Sequence, residues 1–329
     1  MFQRSAFRAA ASVTGLVLVA AGLAAAVRLL PWLLDARVPV HVALPFARGL
    51  AAIALEASVL LGWPIGWALA AHRLVERGEA LALQSLGEAP ARTVSRLALQ
   101  GVAFASLVGA ASLVGGRDAN EPGRVVTELL EEGRVACAVA SGPSSFAVPF
   151  SGTTWLCRPD APPRIVGRAP GALSGVFFSA RAARVAGDLR QIELDDARLA
   201  LGGGEPGRSG MVHVGTLALR GLPPWAQASS LPPSLRSALL AASGILAACL
   251  AALAALRRRP APRGRIHAIL VGAAGPLAAL ALLRLLERTE AGAAVYLTVP
   301  LACGIAVLGA AAVVERSLRL LDERAAATK

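Results

Sequence analysis

Six apolar runs, each long enough to cross a lipid bilayer, constrain this chain more than any other feature. A transmembrane helix needs about 20 apolar residues, because each residue adds about 1.5 Å toward a hydrocarbon core about 30 Å thick. The chain is 55% hydrophobic and only 16% charged, which is typical of an integral membrane protein. Arg4 and Arg8 before the first run also fit a secretory signal, but the apolar character continues to Leu34 and favours a span. The predicted spans are residues 9–34, 49–71, 97–116, 237–256, 266–286 and 291–314.

Basic residues are distributed unevenly between the two sides of these spans. With a cytoplasmic N-terminus, and counting only the termini and the short loops, fifteen basic residues fall on the cytoplasmic side and five on the other. The positive-inside rule therefore places both termini in the cytoplasm and the long polar segment after the third span outside it. The cytoplasmic set is Arg4, Arg8, Arg73, Arg77, Arg92, Arg96, the five arginines of residues 257–265, Arg316, Arg319, Arg324 and Lys329.

The polar segment, residues 117–234, changes from a helical to a β pattern. A helix is predicted from Pro122 to Glu132, closed by Gly133. Short β-rich runs divided by turn residues follow, a pattern typical of a sandwich or jelly roll. The predicted fold is a membrane α-helical protein with six transmembrane helices, three at each end (1–116 and 235–329), and an inserted extracytoplasmic all-β jelly-roll-like domain. The predicted strands are 135–139, 144–150, 153–157, 163–168, 173–180, 189–194, 197–201 and 211–219.

A polar interruption at residues 73–96 separates the second and third spans. The pattern predicts a short cytoplasmic helix at about 75–87, which ends at Gly87 shortly before Pro90. If that helix is continuous, Glu76, Glu79 and Leu83 share one side, and an apolar residue beside carboxylates favours docking into a partner over lying on lipid headgroups. The opposite side carries Leu74, Val75, Leu81, Ala82, Leu86 and Ala89.

One carboxyl residue, Glu56, lies well inside the second span. An ionisable group at that depth is costly unless it faces a cavity or a partner. The sequence leaves three interpretations open: a functional role, pairing with another helix, or placement near the outer interface.

Several functional classes are disfavoured by residue content. A P-loop requires an internal lysine, and the only lysine is Lys329, so the chain cannot be its own P-loop ATPase. The four histidines are scattered without catalytic spacing, and neither a Cys/His ligand set nor a nucleic-acid-binding pattern is present. The sequence therefore predicts neither an enzyme nor a metal or other cofactor.

Four cysteines fall in two environments. Cys249 and Cys303 lie within spans, where packing is their ordinary role. Cys137 and Cys157 lie in the extracytoplasmic segment, where an oxidising compartment allows a disulfide if the fold brings them together. The sequence does not decide whether they are bonded.

The run Glu79 to Gly87 after the second span resembles the cytoplasmic coupling segment of LptF/LptG (YjgP/YjgQ) permeases, and so does the order of spans, β domain and spans around it. The resemblance implies an inner-membrane subunit of an ABC transporter that extracts lipopolysaccharide and passes it to a periplasmic bridge. It implies LptB-like ATPase subunits, a second LptF/LptG-type permease and LptC/LptA-like β-jellyroll proteins as partners. ATPase coupling is expected at Glu76, Glu79, Leu83, Leu86 and Gly87. A permease of another lipid exporter, or a non-transporting membrane-anchored sensor or scaffold, remains an alternative.

Five arginines at span ends would lie on the periplasmic side in this topology: Arg28, Arg37, Arg48, Arg284 and Arg288. Guanidinium groups bind phosphates bidentately, and the phosphates of lipopolysaccharide are a matching ligand at the level where the family takes its substrate. The alternative is that these arginines extend to the interface as ordinary anchors.

The topology can be tested with reporter fusions. A fusion at Gly204 should be periplasmic and a fusion at Pro260 cytoplasmic, because the charge asymmetry places these segments on opposite sides. Alkaline phosphatase and green fluorescent protein activities at each position provide the measurement. A cytoplasmic signal at Gly204 would refute the six-span topology.

Overall fold

The computed structural model divides the chain into two compact units. The first contains Met1–Ala24, Ala52–Val114 and Ser229–Lys329, and the second contains Ala25–Ala51 and Gly115–Ala228. The second unit carries an antiparallel β-sheet and also includes residues 25–51, which the sequence analysis assigned to the membrane domain. The residues described are 2–33, 40–117, 121–148, 151–169, 176–186, 191–202, 209–220, 231–258, 264–289 and 292–327.

Most of the described residues are helical, as the sequence predicts. Within the described ranges, five helices contain a segment long and apolar enough to cross a membrane: Phe2–Val27, Phe46–Glu76, Pro233–Leu256, Gly264–Glu287 and Ala294–Ser317. The remaining predicted span coincides with a helix whose apolar part, Ala98–Leu113, is shorter. These long apolar helices fit a multi-pass membrane protein. The helices are α1 (Phe2–Leu33), α2 (Val40–Glu76), α3 (Glu79–Ser85), α4 (Pro90–Ser95), α5 (Ala98–Arg117), α6 (Glu121–Val139), α7 (Pro233–Leu256), α8 (Gly264–Arg288) and α9 (Thr298–Ala327), with a 3-10 helix at Ala293–Leu297.

Helix α2 packs against α1 through two glycines one turn apart. A Cβ atom on Gly62 would lie 2.5 Å from the Cα of Thr14, and one on Gly66 would lie 2.2 Å from the Cα of Ala10. No side chain fits at these distances, so the two backbones meet directly. Pairs of small residues four positions apart are a common means of close helix contact in membranes, where burial of apolar surface gives little drive for association.

Three further helices of the first unit also contact α2. A Cβ atom on Gly264 of α8 would lie 2.1 Å from the ring of His72, so this contact also requires glycine. Trp63 stacks on Phe104 of α5 with 5.1 Å between ring centroids. On α7, a Cβ atom on Gly244 would lie 3.5 Å from the Trp63 ring, which is ordinary contact. Residues 52–76 of α2 therefore form the centre of this unit.

The second unit is built on seven antiparallel strands. In the sheet, β1 pairs with β2, β2 with β3, β3 with β4, and β4 with β6. Strand β6 also pairs with β5 and, along its whole length, with β7. Since β7 occupies one edge of β6, strands β4 and β5 share the other. The strands are β1 (Ser144–Val148), β2 (Thr153–Arg158), β3 (Ala161–Arg168), β4 (Val176–Ala180), β5 (Ala182–Val185), β6 (Gln191–Gly202) and β7 (Ser209–Arg220).

The sheet bends at Asp196 in β6. The sequence predicts two strands here, 189–194 and 197–201, but β6 is one strand of 12 residues. Asp196 has a φ of 52°, and its neighbours Leu194 and Ala197 are both buried although they are three residues apart. Regular alternation would place residues three apart on opposite faces. The left-handed residue therefore lets β6 bend while both halves keep a buried face.

Helix α6 is longer than the sequence predicts. Instead of ending at Gly133, it continues to Val139, so the predicted strand at 135–139 is wrong. Gly133 serves packing rather than termination, because a Cβ atom there would lie 2.6 Å from Cδ1 of Trp155 on β2. The buried indole needs the space that the missing side chain leaves.

A disulfide joins the last turns of α6 to the sheet. Cys137 of α6 and Cys157 of β2 are bonded, with 5.0 Å between their Cα atoms. This separation lies within the usual range for disulfides. The pair that the sequence left open thus fastens the helix to the strand that carries Trp155.

We predict that Gly133→Ala destabilises the second unit. Glycine to alanine in an ordinary helix gains about 1 kcal/mol, but here the added methyl must displace Trp155, and overpacking of this kind costs about 1–3 kcal/mol. Thermal unfolding of the purified protein provides the measurement. The control is Gly142→Ala, since a Cβ atom on Gly142 meets nothing within 4 Å. Equal or higher stability of Gly133→Ala would contradict the packing role.

Candidate functional site

The polar interruption between α2 and α5 forms two short helices rather than one. Helix α2 continues to Glu76, and Gly78, with a φ of 75°, separates it from α3. The predicted helix at 75–87 is therefore wrong at its start. Its end is as expected: Gly87 has a φ of 81°, its N–H bonds to the carbonyl of Gln84, and the N–H of Glu88 bonds to that of Leu83.

The break at Gly78 changes which side of α3 faces outward. Leu83 lines a small cavity with Leu256 of α7, whereas Leu81 is 73% exposed and Leu86 is 83% exposed. Leu83, the apolar residue of the predicted docking side, thus faces the protein itself, whereas Glu79 of the same side is exposed. Because the backbone leaves the helix at Gly78, one continuous helical wheel does not describe this segment.

The coupling segment, defined here as residues 77–97, is fastened to two other helices of the first unit. The side-chain amide of Gln84 donates to the carbonyl of Leu256 at 3.5 Å, at the end of α7. That of Gln3 in α1 donates to the carbonyl of Arg96 at 2.8 Å. Within the segment, the Arg96 guanidinium donates to Glu88 at 2.8 Å. The exposed Leu81 and Leu86 therefore belong to a segment whose position is fixed by these hydrogen bonds.

Glu76, one of the predicted coupling residues, is engaged at the end of α2. Its Oε1 lies 3.2 Å from Nε2 of His72 and 3.7 Å from Nε of Arg265 on α8. Glu79 instead lies at the start of α3, with its carboxylate 3.7 Å from the exposed Arg77 guanidinium. Of the two carboxylates, Glu79 stands closer to the exposed leucines in sequence.

A buried charge cluster, consisting of Glu56, Ser112, Arg236 and Glu287, joins four helices of the first unit. The Arg236 guanidinium on α7 binds Glu56 on α2 bidentately, at 2.7 and 3.0 Å. It also donates to Oγ of Ser112 on α5 at 2.9 Å, and its Nε lies 3.8 Å from Glu287 on α8. Glu56 is 1% exposed and Arg236 is 5% exposed.

Of the interpretations left open for Glu56, the structure shows pairing with another helix, because the Glu56 carboxylate binds Arg236 on α7. Removing one member of such a buried pair costs about 3–5 kcal/mol, since the remaining charge loses its partner in an apolar setting. Sequence reasoning missed Arg236. The signal was present, because an acidic residue inside one apolar run requires a basic residue in or beside another.

The five arginines predicted to bind lipid phosphates stay a prediction. Arg37 lies outside the described residues, and the side chains of Arg28 and Arg288 are not described either. Arg48 and Arg284 are exposed. They belong to different units, Arg48 to the second and Arg284 to the first.

A second polar cluster lies at the bend of the sheet. The Asp196 carboxylate accepts hydrogen bonds from the ring N–H of His213 on β7 and from the guanidinium of Arg164 on β3. The hydrogen bond from His213 and the positive charges of Arg164 and Arg198 lower the pKa of Asp196 below its ordinary value of 3.8. Asp196 thus holds three strands together at the residue where β6 bends.

Among the described residues, no group of three His, Cys, Asp or Glu side chains is arranged to hold a metal ion. The two cysteines that are not in the disulfide, Cys249 and Cys303, lie on α7 and α9. Comparison of the sequence with protein-family models and with characterised proteins finds no significant match to either.

We predict that Asp196→Asn lowers the stability of the second unit at neutral pH. A carboxyl whose pKa is lowered in the folded state contributes stability above its unfolded pKa and loses it as pH falls through the folded value. The difference between wild type and Asp196→Asn should therefore be largest at neutral pH and shrink in acid, below pH 3.8. Thermal unfolding across that range provides the measurement.

Asp195→Asn is the matched control for this prediction. Asp195 is the exposed neighbour of Asp196, and its side chain makes no ion pair with another described residue. A difference for Asp196→Asn that is independent of pH would contradict the electrostatic explanation.

Proposed function

We propose that this chain is a membrane permease subunit of an LptF/LptG-type ABC transporter that extracts lipopolysaccharide from the inner membrane. The observation that carries the proposal is the coupling segment, in which Leu81 of the short helix α3 and Leu86, directly after that helix, are exposed to solvent. Exposed apolar anchors beside a carboxylate, here Glu79, fit a helix that docks in a groove of another protein. The proposed partner is an LptB-like ATPase, which supplies the ATP hydrolysis.

In the proposed topology, α5 is the third span and the coupling segment lies in the cytoplasm. The second unit then lies in the periplasm. Support comes from the order of the elements: two long apolar helices, the coupling segment, a third apolar helix, the sheet unit and three more long helices. The disulfide Cys137–Cys157 belongs to the second unit and fits an oxidising compartment.

Strand β7 supports a proposed route for the lipid out of the membrane. It is 12 residues long, and among the described strands it pairs only with β6, so its outer edge can accept a further strand. Long edge strands readily pair with another chain. An LptC/LptA-like β-jellyroll protein is the proposed partner there, and a second LptF/LptG-type permease completes the assembly in the membrane.

The docking role predicts that Leu81→Arg prevents copurification of the ATPase. A guanidinium cannot enter an apolar groove without losing its hydration, so the complex should be weakened by at least about tenfold. Glu79→Lys should also weaken it, because it reverses a charge at the contact. Affinity purification in mild detergent with quantification of the ATPase provides the measurement.

The matched control is Met211→Arg on β7, because Met211 and Leu81 are both 73% exposed but belong to different units. Met211→Arg should retain the ATPase. Full retention by Leu81→Arg would remove the docking role, and purification without any ATPase would favour a membrane-anchored sensor or scaffold. The copurifying lipid separates a lipopolysaccharide permease from one for another lipid.

A further inference from the structure

Helix α7 connects the coupling segment to the buried charge cluster. At its last residue, the carbonyl of Leu256 accepts the hydrogen bond from Gln84, and the Leu256 side chain shares a cavity with Leu83. At its first turn, Arg236 binds Glu56. The two residues are separated by about 30 Å of continuous helix, and proline occurs in α7 only at its start.

The contact surface of α7 suits an axial shift. In the C-terminal half of α7, the buried side chains before the last residue, Leu256, are alanines at 247, 248, 251, 252 and 255. Alanine rows form shallow ridges, so one helix can slide along another with little change in packing. A displacement at the coupling segment would therefore move α7 as a rigid rod.

The charge cluster lies where such a shift has the largest effect. Arg236 is in the first turn of α7, and Glu287 is in the last turn of α8. Charged side chains near helix ends can extend to the polar interface. Separation of the pair would therefore be partly compensated, because hydration returns the desolvation energy that pairing in the interior requires.

We propose that the buried charge cluster is an ionic lock, and that α7 carries displacement of the coupling segment to it. In the locked state Arg236 holds α7 against α2, α5 and α8. When α7 shifts, the guanidinium leaves Glu56 and the four helices separate at this end. The link to an ATPase rests on the proposed function, whereas the lock depends only on the residues of the cluster.

The test uses a disulfide as a reporter of the locked state. Gly109 of α5 and Ser237 of α7 are in contact beside the cluster. The Ser237 hydroxyl donates to the Gly109 carbonyl at 3.2 Å, and a Cβ atom on Gly109 would lie 3.1 Å from Oγ of Ser237. The double variant Gly109→Cys/Ser237→Cys should therefore oxidise to a disulfide readily. Each single variant, which retains Cys249 and Cys303, controls for bonding to native cysteines.

Glu56→Gln in the double-cysteine protein should lower the rate of crosslinking by about tenfold or more, because the buried guanidinium loses its charged partner and the helices separate. The matched control is Ser58→Ala, which lies on α2 near Glu56, outside the cluster, and removes only a hydrogen bond to the carbonyl of Ala54 within the same helix. It should crosslink at nearly the unaltered rate. Crosslinking in Glu56→Gln that equals the Ser58→Ala rate overturns the lock.

Glu56→Gln could also fail to fold, so Glu56→Gln/Arg236→Gln is tested in parallel. This variant removes both charges, so neither is left buried without a partner, which makes it better tolerated than a broken pair. Its crosslinking rate should also fall. A folded, monodisperse double-glutamine protein that crosslinks at the unaltered rate overturns the proposal.

The transmission step is tested from the other end of α7. Gln84→Ala removes the hydrogen bond to Leu256 and should change the rate of crosslinking between the cysteines at 109 and 237. Ser85→Ala, in the same helix, should leave that rate unchanged. An unchanged rate in Gln84→Ala overturns transmission along α7. Adding the ATPase with ATP distinguishes failure of the proposed function from failure of the lock. If no ATPase binds, the proposed function fails. The crosslinking rates of Glu56→Gln and Gln84→Ala still decide whether the lock exists.

Discussion

A guanidinium buried among apolar helices requires a partner of opposite charge. The arrangement of the first unit depends on how the Arg236 guanidinium is paired. Its partners lie on three other helices at distances between 2.7 and 3.8 Å. Such distances can be satisfied together only when α2, α5, α7 and α8 take one relative position. In its paired state the cluster therefore specifies a single arrangement of helices, whatever its net contribution to stability.

The rest of the first unit relies on close backbone contact. Apolar side chains are as well solvated by lipid as by one another, so helices in a membrane gain most from close packing and polar contacts. Gly62, Gly66 and Gly264 allow this packing around α2. Glycine contacts bring the helices together, and the charge cluster fixes their positions. These helices also link the segment that carries the exposed Leu81 and Leu86 to the buried Arg236.

The second unit depends on different interactions from the first. Its sheet needs a cover over the buried face and a residue that sets its curvature. Helix α6 covers the buried face, with Gly133 admitting Trp155 and the disulfide holding the helix end. Asp196 introduces the bend, and its hydrogen bonds with Arg164 and His213 compensate for a backbone conformation that is unfavourable for a residue with a side chain. Local strain and local charge thus occur at the same residue.

The sequence alone determined the long apolar helices, the β-rich insertion and the stop at Gly87, because hydrophobic length, strand periodicity and turn residues act locally. It placed Glu56 in a span, which calls for a basic partner, but the packing of the helices decided that this partner is Arg236, 180 residues away. The outward side of α3 and the extent of α6 were also decided by tertiary structure. Gly78 and Gly133 look alike in sequence, but the first breaks a helix through its backbone conformation and the second packs against Trp155, and only the surrounding contacts distinguish the two roles.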